Sequence, residues 1–157
     1  MSQTEIDSTE TYQPVHYAGF WIRVAAAIID SLTVFAVSSS VRSILLGLTL
    51  NIEFYPQDRF SVTYKAIILF TSVILPIFYE CCFLASSWMG TPGMKLVGIK
   101  VIDYDGNRIS FGRSFVRYLS QILSALIFGI GYIMIAFDRR KQGLHDKLAK
   151  TLVIYRQ

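Results

Sequence analysis

Long apolar segments follow one another along this chain, and the first two predict membrane-spanning helices. The first segment, 18–50, is interrupted by three charged residues: Arg23, Asp30 and Arg42. Because about 20 apolar residues in a helix cross the hydrocarbon core of a bilayer, we expect a span at about 19–42, with Arg42 reaching to the far interface. The second segment carries one charge, Glu80, and predicts a span at about 64–86.

The third apolar region, 111–137, has a different pattern. Its first half places large apolar residues on one helical face and polar residues on the other, the polar set being Arg113, Arg117, Ser120, Gln121 and Ser124. Such an amphipathic helix favours an interface or a protein groove over bare lipid. Two glycines, Gly129 and Gly131, then interrupt the region. It is therefore either a third span, at 118–137, or a broken or re-entrant membrane hairpin.

The distribution of basic residues favours the hairpin. The loop 87–117 contains five basic and two acidic residues, and the tail 138–157 contains six basic and two acidic residues. Because basic loops stay in the cytoplasm, a single span between these segments would place one of them on the wrong side. Leu96–Ile102 and Thr151–Tyr155 have the composition of short strands, and they can pair only on the same side.

The patterns together predict an all-α integral membrane protein. It has two long transmembrane helices, a third membrane helix that is broken, re-entrant or spanning, and a small cytoplasmic β-element. The polar loop 89–110 contains turn signals at Pro92-Gly93 and Asp105-Gly106, the second of which predicts a hairpin turn that returns toward Ile109. A further local prediction is a kink at Pro76, whose ring nitrogen cannot donate to the carbonyl of Ser72.

Composition agrees with a membrane location and excludes other classes. Hydrophobic residues make up 53% of the 157 residues and charged residues 17%, whereas a soluble domain is about one quarter charged. The acidic, polar segment 1–17 predicts a disordered tail without the basic start of a secretory signal. We expect a multi-pass protein of the cell (inner) membrane with a cytoplasmic N-terminus. Cys81 and Cys82 are adjacent, which disfavours an ordinary disulfide between them.

Asp30 is the first candidate functional residue. It follows Arg23 by seven positions, which places the two residues about 20° and ~10.5 Å apart along one helix face. If the helix enters the membrane near Phe20, Asp30 lies near the middle of the bilayer, where a carboxylate costs at least ~2.5–3.5 kcal/mol unless it is paired, protonated or hydrated. It could handle an ion or a proton, lock the bundle by pairing with Arg113 or Arg117, or mediate helix association.

Other chemistry has little support in the sequence. Glu80 is a secondary candidate that we expect nearer the interface. His16 and His145 are the two histidines, and they are too isolated to form a zinc site. We find no nucleophile elbow or metalloprotease motif, and therefore expect no metal site, no cofactor and no enzymatic activity. The isoelectric point of about 9.1 is explained by contacts with anionic lipid, and we expect no nucleic-acid partner.

The motifs together resemble the RDD family of membrane proteins, which is named for one arginine and two aspartates. The matching segments are Gly19–Arg23 with Asp30, Gly90–Val101, Ser110–Arg113 and Phe137–Thr151. The resemblance makes 18–157 an RDD-like membrane domain. The His145-Asp146 pair favours Asp146 as the second aspartate, although Asp138 also fits. Either one is expected at the cytoplasmic surface, which leaves Asp30 as the deep acid.

The resemblance implies two competing functions. Transport has been proposed for the family, and some relatives are associated with sodium–proton exchange. On that reading the chain is an oligomeric cation–proton antiporter. Asp30 alternates between binding a proton and binding a cation, and the positive charge of Arg23 sets the pKa of Asp30. Other relatives resemble accessory subunits, which implies a non-catalytic scaffold for a membrane-protein partner, with Arg23, Asp30 and Asp146 as a structural charge network. We expect contact with the bilayer, anionic lipid at the basic face and a homo-oligomer.

Overall fold

The computed structural model describes residues 15–50, 57–127 and 129–156. In this part of the chain the elements are α1 (Phe20–Leu50), α2 (Gln57–Leu69), a π-helical turn (Phe70–Ile74), α3 (Leu75–Leu84), α4 (Pro92–Leu96), β1 (Ile99–Asp103), α5 (Phe111–Leu126), α6 (Ile130–Phe137), α7 (Leu144–Ala149) and β2 (Thr151–Tyr155). Most of the predicted tail, 1–14, lies outside the described residues. Its last residue, Tyr17, forms an antiparallel bridge with Ile154.

Two helices are long and apolar enough to cross a membrane, which confirms the two predicted spans. They cover Phe20–Leu48 and Val62–Leu84. The first helix does not end at Arg42 but continues to Leu50, and the Arg42 side chain has polar partners on the neighbouring helix. Its Nη2 lies 3.4 Å from Thr71 Oγ1 and 3.3 Å from Ser72 Oγ. Arg42 therefore lies within α1 and not at its end, beside polar groups of the second span.

The second span changes its winding just before Pro76. The π-helical turn at Phe70–Ile74 is followed directly by α3, which has Pro76 in its first turn. Proline cannot donate to the carbonyl four residues earlier, and one wider turn is a common way to accommodate such an interruption. Ser38 on α1 donates from Oγ to the carbonyl oxygen of Thr71 at 3.1 Å. The wider turn is thus tied to the first span.

The third membrane segment consists of two helices that meet at a sharp angle. Phe111–Leu126 and Gly131–Phe137 are bent by 96°, and together they are apolar enough to count as a third, broken span. In α5 the buried side chains are Ser114, Arg117, Ser120 and Ser124. The exposed face carries the large apolar residues Phe111, Phe115, Val116, Leu119, Ile122, Leu123 and Leu126. The helix is therefore polar toward the protein and apolar toward lipid.

A two-stranded antiparallel sheet joins the loop after the second span to the C-terminal segment. Val101 of β1 lies opposite Val153 of β2, and both pack in a core with Ile99 and Ile109. The predicted strand Leu96–Ile102 begins too early, because Thr91 caps α4 and Gly98 (φ +75°) turns the chain into β1.

The turn after β1 reverses the chain toward Ile109, as the sequence predicts, and the backbone N–H of Asp103 donates across it to the carbonyl oxygen of Asn107 at 2.9 Å. No second strand follows this turn in the described residues before α5. Gly106 adopts a left-handed conformation (φ +82°), and the turn is held by Asp103, whose Oδ1 accepts from the backbone N–H of Asn107 at 2.7 Å. The strand that pairs with β1 is β2. Tertiary packing supplies this distant partner, whereas turn chemistry only closes the local loop.

Candidate functional site

A buried charge cluster joins three helices that lie far apart in sequence. Arg23 of α1 donates from Nη1 to Asp146 Oδ2 of α7 at 2.5 Å, and Arg117 Nη1 of α5 lies 3.3 Å from the other carboxylate oxygen. Asp146 is 0% exposed. Asp146 is therefore enclosed by protein, because α7 folds back against the start of α1 and against α5.

Each of the three guanidinium nitrogens of Arg23 has a partner other than Asp30. Its Nε donates to the carbonyl oxygen of Ala18 at 3.0 Å and its Nη2 to that of Lys141 at 2.5 Å. The guanidinium thus fixes the start of α1 to the segment before α7. In this arrangement Arg23 acts on Asp146 and not, as the sequence suggests, on Asp30.

The arginines keep Asp146 ionised in spite of its burial. Burial by itself favours the neutral acid, but the charges of Arg117 and Arg23 outweigh it and hold the pKa of Asp146 below its ordinary value. His145 lies beside it, with Nε2 3.5 Å from Asp146 Oδ1. Burial and the charges of Arg117 and Arg23 together lower the pKa of His145 to about 4, against the opposite effect of the Asp146 carboxylate. Near neutral pH the cluster therefore carries two positive charges and one negative charge.

Asp30 is held by hydrogen bonds and not by an arginine. Its Oδ1 accepts from the hydroxyl of Tyr79 at 2.9 Å and from the backbone N–H of Gly93 at 2.8 Å. Its Oδ2 accepts from Thr91 Oγ1 at 2.5 Å. The alternative in which Asp30 pairs with Arg113 or Arg117 is not realised.

The loop that carries Thr91 and Gly93 lies against α1, and a glycine makes this approach possible. A Cβ added at Gly93 would lie 2.7 Å from Asp30 Cγ. The close approach gives the backbone N–H of Gly93 access to the carboxylate. The segment 90–98, which the sequence places in a loop outside the hydrocarbon core, therefore supplies two of the three donors to Asp30.

A cavity of about 350 Å³ lies between the membrane helices, next to the charge cluster. Its wall contains both acids of the two spans, Asp30 and Glu80, and it is bordered at the cluster by Arg23, Arg117 and His145. Glu80 Oε1 accepts from Gln121 Nε2 at 2.6 Å. The sequence places Glu80 near the interface, whereas here it shares a cavity with Asp30.

Two secondary candidates lie away from this cavity. Asp138 accepts from Lys147 Nζ at 2.7 Å and from the backbone N–H groups of Arg140 and Gln142, and the hydrogen bond from Lys147 lowers its pKa. Arg113 Nη1 lies 3.2 Å from Asp103 Oδ2. Asp138 stabilises the turn before α7, and Arg113, in the first turn of α5, contacts the turn that follows β1.

Sequence reasoning missed several residues of the cavity wall. They are Tyr79, Tyr118, Gln121 and Tyr132, together with His145. One signal could have found Gln121, since it follows Arg117 by one helical turn on the polar face of α5. Within the described ranges, no group of three or more His, Cys, Asp or Glu side chains could hold a metal ion.

Comparison with known proteins identifies the family. A match to the RDD family covers residues 17–150. The chain belongs to the RDD family. It is 35% identical over 148 residues to a Bacillus subtilis protein named "Uncharacterized protein YxaI", covering 88% of this chain and 97% of that protein. No solved structure shows a significant match.

Two further relatives of this chain also come from Bacillus subtilis. "Uncharacterized protein YckC" is 29% identical over 149 residues, covering 92% of this chain and 86% of that protein. "Uncharacterized membrane protein YteJ" is 25% identical over 145 residues, covering 88% of this chain and 81% of that protein. In this RDD family chain, the Arg23–Asp146 ion pair joins the opening motif to the closing motif.

Proposed function

We propose that this membrane protein is a transporter that exchanges a proton for a metal cation or for a substrate with a cationic group, and that the cavity between the helices is the substrate site. The observation that carries the proposal is the presence of two carboxylates from the spans, Asp30 and Glu80, on the wall of one cavity. Ionisable groups at membrane depth are costly and commonly mark ion or substrate pathways. A pocket between helices is also a common location for a ligand.

Glu80, and not Asp30, is the acid that we assign to the exchange. Both oxygens of Asp30 already accept hydrogen bonds, from Tyr79, Gly93 and Thr91. Among the described residues, Glu80 has one hydrogen-bond partner, Gln121, and this partner contacts only Oε1. A carboxylate that alternates between a proton and a cation needs an oxygen that is free to bind each of them. Asp30 then has the structural role of holding the 90–98 loop.

We further propose that several copies assemble. The described part of one chain provides two spanning helices and one bent pair, which is few helices to surround a water-filled path. The outward faces of α1 and α5 are apolar and suit either lipid or another copy. Homo-oligomerisation would complete the wall of the pathway.

The sheet side of the molecule is our proposed cytoplasmic face. Several basic side chains are exposed there and in the segments that flank the sheet: Lys95, Arg108, Arg139, Arg140 and Lys150. Basic residues next to spans favour the cytoplasmic side and attract anionic lipid headgroups. On this orientation the start of α1 is also cytoplasmic, since Tyr17 pairs with the sheet.

Proton flux in proteoliposomes tests the transport proposal. The purified protein is exposed to outward gradients of Na⁺, Li⁺, K⁺ and 4-aminobutyrate, and internal pH is followed with a trapped dye. Glu80→Gln should abolish flux while remaining monodisperse on size-exclusion chromatography. Arg113→Gln, outside the cavity, is the matched control and should retain flux. Well-folded wild-type protein that moves no protons with any of these solutes would reject the proposal.

A non-catalytic scaffold is the second candidate, and the hydrogen-bond saturation of Asp30 favours it. The contacts of Asp30 and of Asp146 lock a loop and a short helix onto α1, as expected for a rigid platform. On this reading Asp30→Asn lowers stability and the amount of any partner complex, and wild type shows no flux. The same proteoliposome experiment therefore separates the two functions.

A further inference from the structure

The wall of the cavity presents two opposite charges that the protein does not pair with each other. Glu80 on α3 and Arg117 on α5 both contribute to the wall, yet the ion pair of Arg117 is with Asp146 and the hydrogen bond of Glu80 is with Gln121. A ligand inside the cavity can therefore meet a negative group and a positive group.

The positive side of the cavity has one charge in excess. Asp146 is shared by two guanidinium groups, those of Arg23 and Arg117, and a single carboxylate can neutralise only one of them. Arg23 uses its Nε, Nη1 and Nη2 on three oxygen acceptors. Arg117 is 2% exposed. Its Nε has no hydrogen-bond partner among the described residues, and its Nη1 meets Asp146 at 3.3 Å without the geometry of a hydrogen bond. A buried guanidinium in this state has unsatisfied capacity for an anion.

The size of the cavity argues for an organic ligand. A volume of about 350 Å³ lies within the range of small-molecule pockets, whereas a dehydrated metal ion would leave most of it empty. Aromatic side chains form part of the wall: Phe20, Tyr79, Tyr118 and Tyr132. These rings suit a short apolar segment between two charged ends, and they can contact an ammonium group through their faces.

We propose that the cavity binds a small zwitterion, an amino acid with its ammonium group at Glu80 and its carboxylate at Arg117. This inference deepens the proposed function, on which it rests for taking the cavity as the substrate site. Binding of the ammonium group at Glu80 displaces the proton held there, so proton and substrate exchange one for one. The carboxylate meets the excess charge of the arginine cluster and leaves the Arg23–Asp146 pair intact.

Competition binding tests the two-ended recognition. Purified wild-type protein in detergent is equilibrated with radiolabelled 4-aminobutyrate, and unlabelled butylamine and butyrate compete as single-charge analogues. Glycine and 6-aminohexanoate bracket the length between the two ends. We expect at least one of the three amino acids to bind about tenfold or more tightly than either single-charge analogue, a difference of about 1.4 kcal/mol.

Two variants test which residue binds the ammonium group of the ligand and which binds its carboxylate. Glu80→Gln, which retains a hydrogen-bonding partner for Gln121, should remove the advantage of the amino acid over butyrate. Arg117→Lys keeps a charge beside Asp146 but loses the planar fork that binds a carboxylate, and it should remove the advantage over butylamine. Arg113→Gln should change neither the preference for the amino acid over butyrate nor its preference over butylamine. Equal binding of the amino acid and butylamine, or no saturable binding of any of the three amino acids, overturns the inference.

The outcome is separable from that of the transport proposal. Proton flux with Na⁺ but no preference for the amino acids rejects the zwitterion and leaves transport standing. Preferential binding of an amino acid without flux of any solute supports the zwitterion site and rejects transport.

Discussion

Arg23 and Asp146 form a 2.5 Å ion pair across 123 positions of sequence, and the carboxylate at its centre is fully buried. The pair connects the first residues of α1 to α7, and Arg117 of α5 shares the same carboxylate. One acid thus holds three helices together. Its removal leaves two buried cations without a counter-charge, which is the most costly way to break such a cluster.

Asp146→Asn should therefore destabilise the protein strongly. We expect a loss of about 3–5 kcal/mol in the free energy of unfolding, which is typical for removing one partner of a buried pair. The measurement is unfolding in mixed detergent micelles with increasing sodium dodecyl sulfate. Asp138→Asn is the matched control: its partner Lys147 is exposed, and the loss should be below about 1 kcal/mol. A similar loss in both variants would contradict the central role of Asp146.

The stability of the protein should fall when the pH is lowered from 7.5 to 5, and His145 is the cause. Its pKa is about 4 in the folded protein and 6.5 ordinarily. The unfolded chain thus binds a proton in this window that the folded protein excludes. Stability is then fully present above pH 6.5 and is lost toward pH 4, by about 2 kcal/mol at pH 5.

The His145→Gln variant isolates this effect. Its free energy of unfolding should change less between pH 7.5 and 5 than that of wild type, because glutamine does not titrate. Asp146 also loses its stabilising charge on acidification, but with a lowered pKa it does so below this window. Parallel pH curves for wild type and His145→Gln would show that His145 is not the sensor.

Gly93→Ala should damage the contact between the 90–98 loop and α1. The added Cβ would meet the Asp30 carboxyl carbon at 2.7 Å, and overpacking of this kind costs about 1–3 kcal/mol. Gly112→Ala is the control, since an added Cβ there has nothing within 4 Å and alanine favours a helix. We expect a lower melting temperature for the first variant and an unchanged or slightly higher one for the second.

Labelling with a membrane-impermeant thiol reagent should find both ends of the 111–137 region on one side of the membrane. Arg108→Cys and Lys150→Cys occupy exposed positions on either side of it, in a background with Cys81→Ala and Cys82→Ser. We expect both to react from the side of the sheet, because β1 and β2 are paired. Asn51→Cys, between the two spans, should react from the other side. Labelling of Arg108→Cys and Lys150→Cys from opposite sides would exclude the bent hairpin.

Periodicity and length are sufficient to predict most of the fold from the sequence. The two spans follow from runs of apolar residues, and the amphipathic α5 follows from residues such as Arg117 and Gln121 on one face. Both strands are readable from their β-branched residues. The start of β1 is not readable, because the segment before it satisfies a local helix cap at Thr91, and local hydrogen bonding outweighs strand propensity there.

The contacts of the site could not be predicted in the same way. A charge within a span needs a partner, but the sequence pattern does not show which of several distant groups supplies it. For Asp30 the choice is made by the absence of a side chain at Gly93, which lets a backbone N–H approach. For Arg23 the partner is Asp146, because α7 returns to the start of α1. Both are consequences of tertiary packing and not of local propensity.

The order of synthesis adds a constraint to this arrangement. The ribosome delivers α1 to the membrane long before α7 has been made, so the Arg23 guanidinium first meets the bilayer without its carboxylate. Arg117 meets the same problem when α5 is released. A nascent chain that stalls between α5 and α7 therefore displays two unneutralised cations on membrane helices. The arrival of Asp146 ends this state, because its carboxylate supplies the counter-charge that both arginines contact.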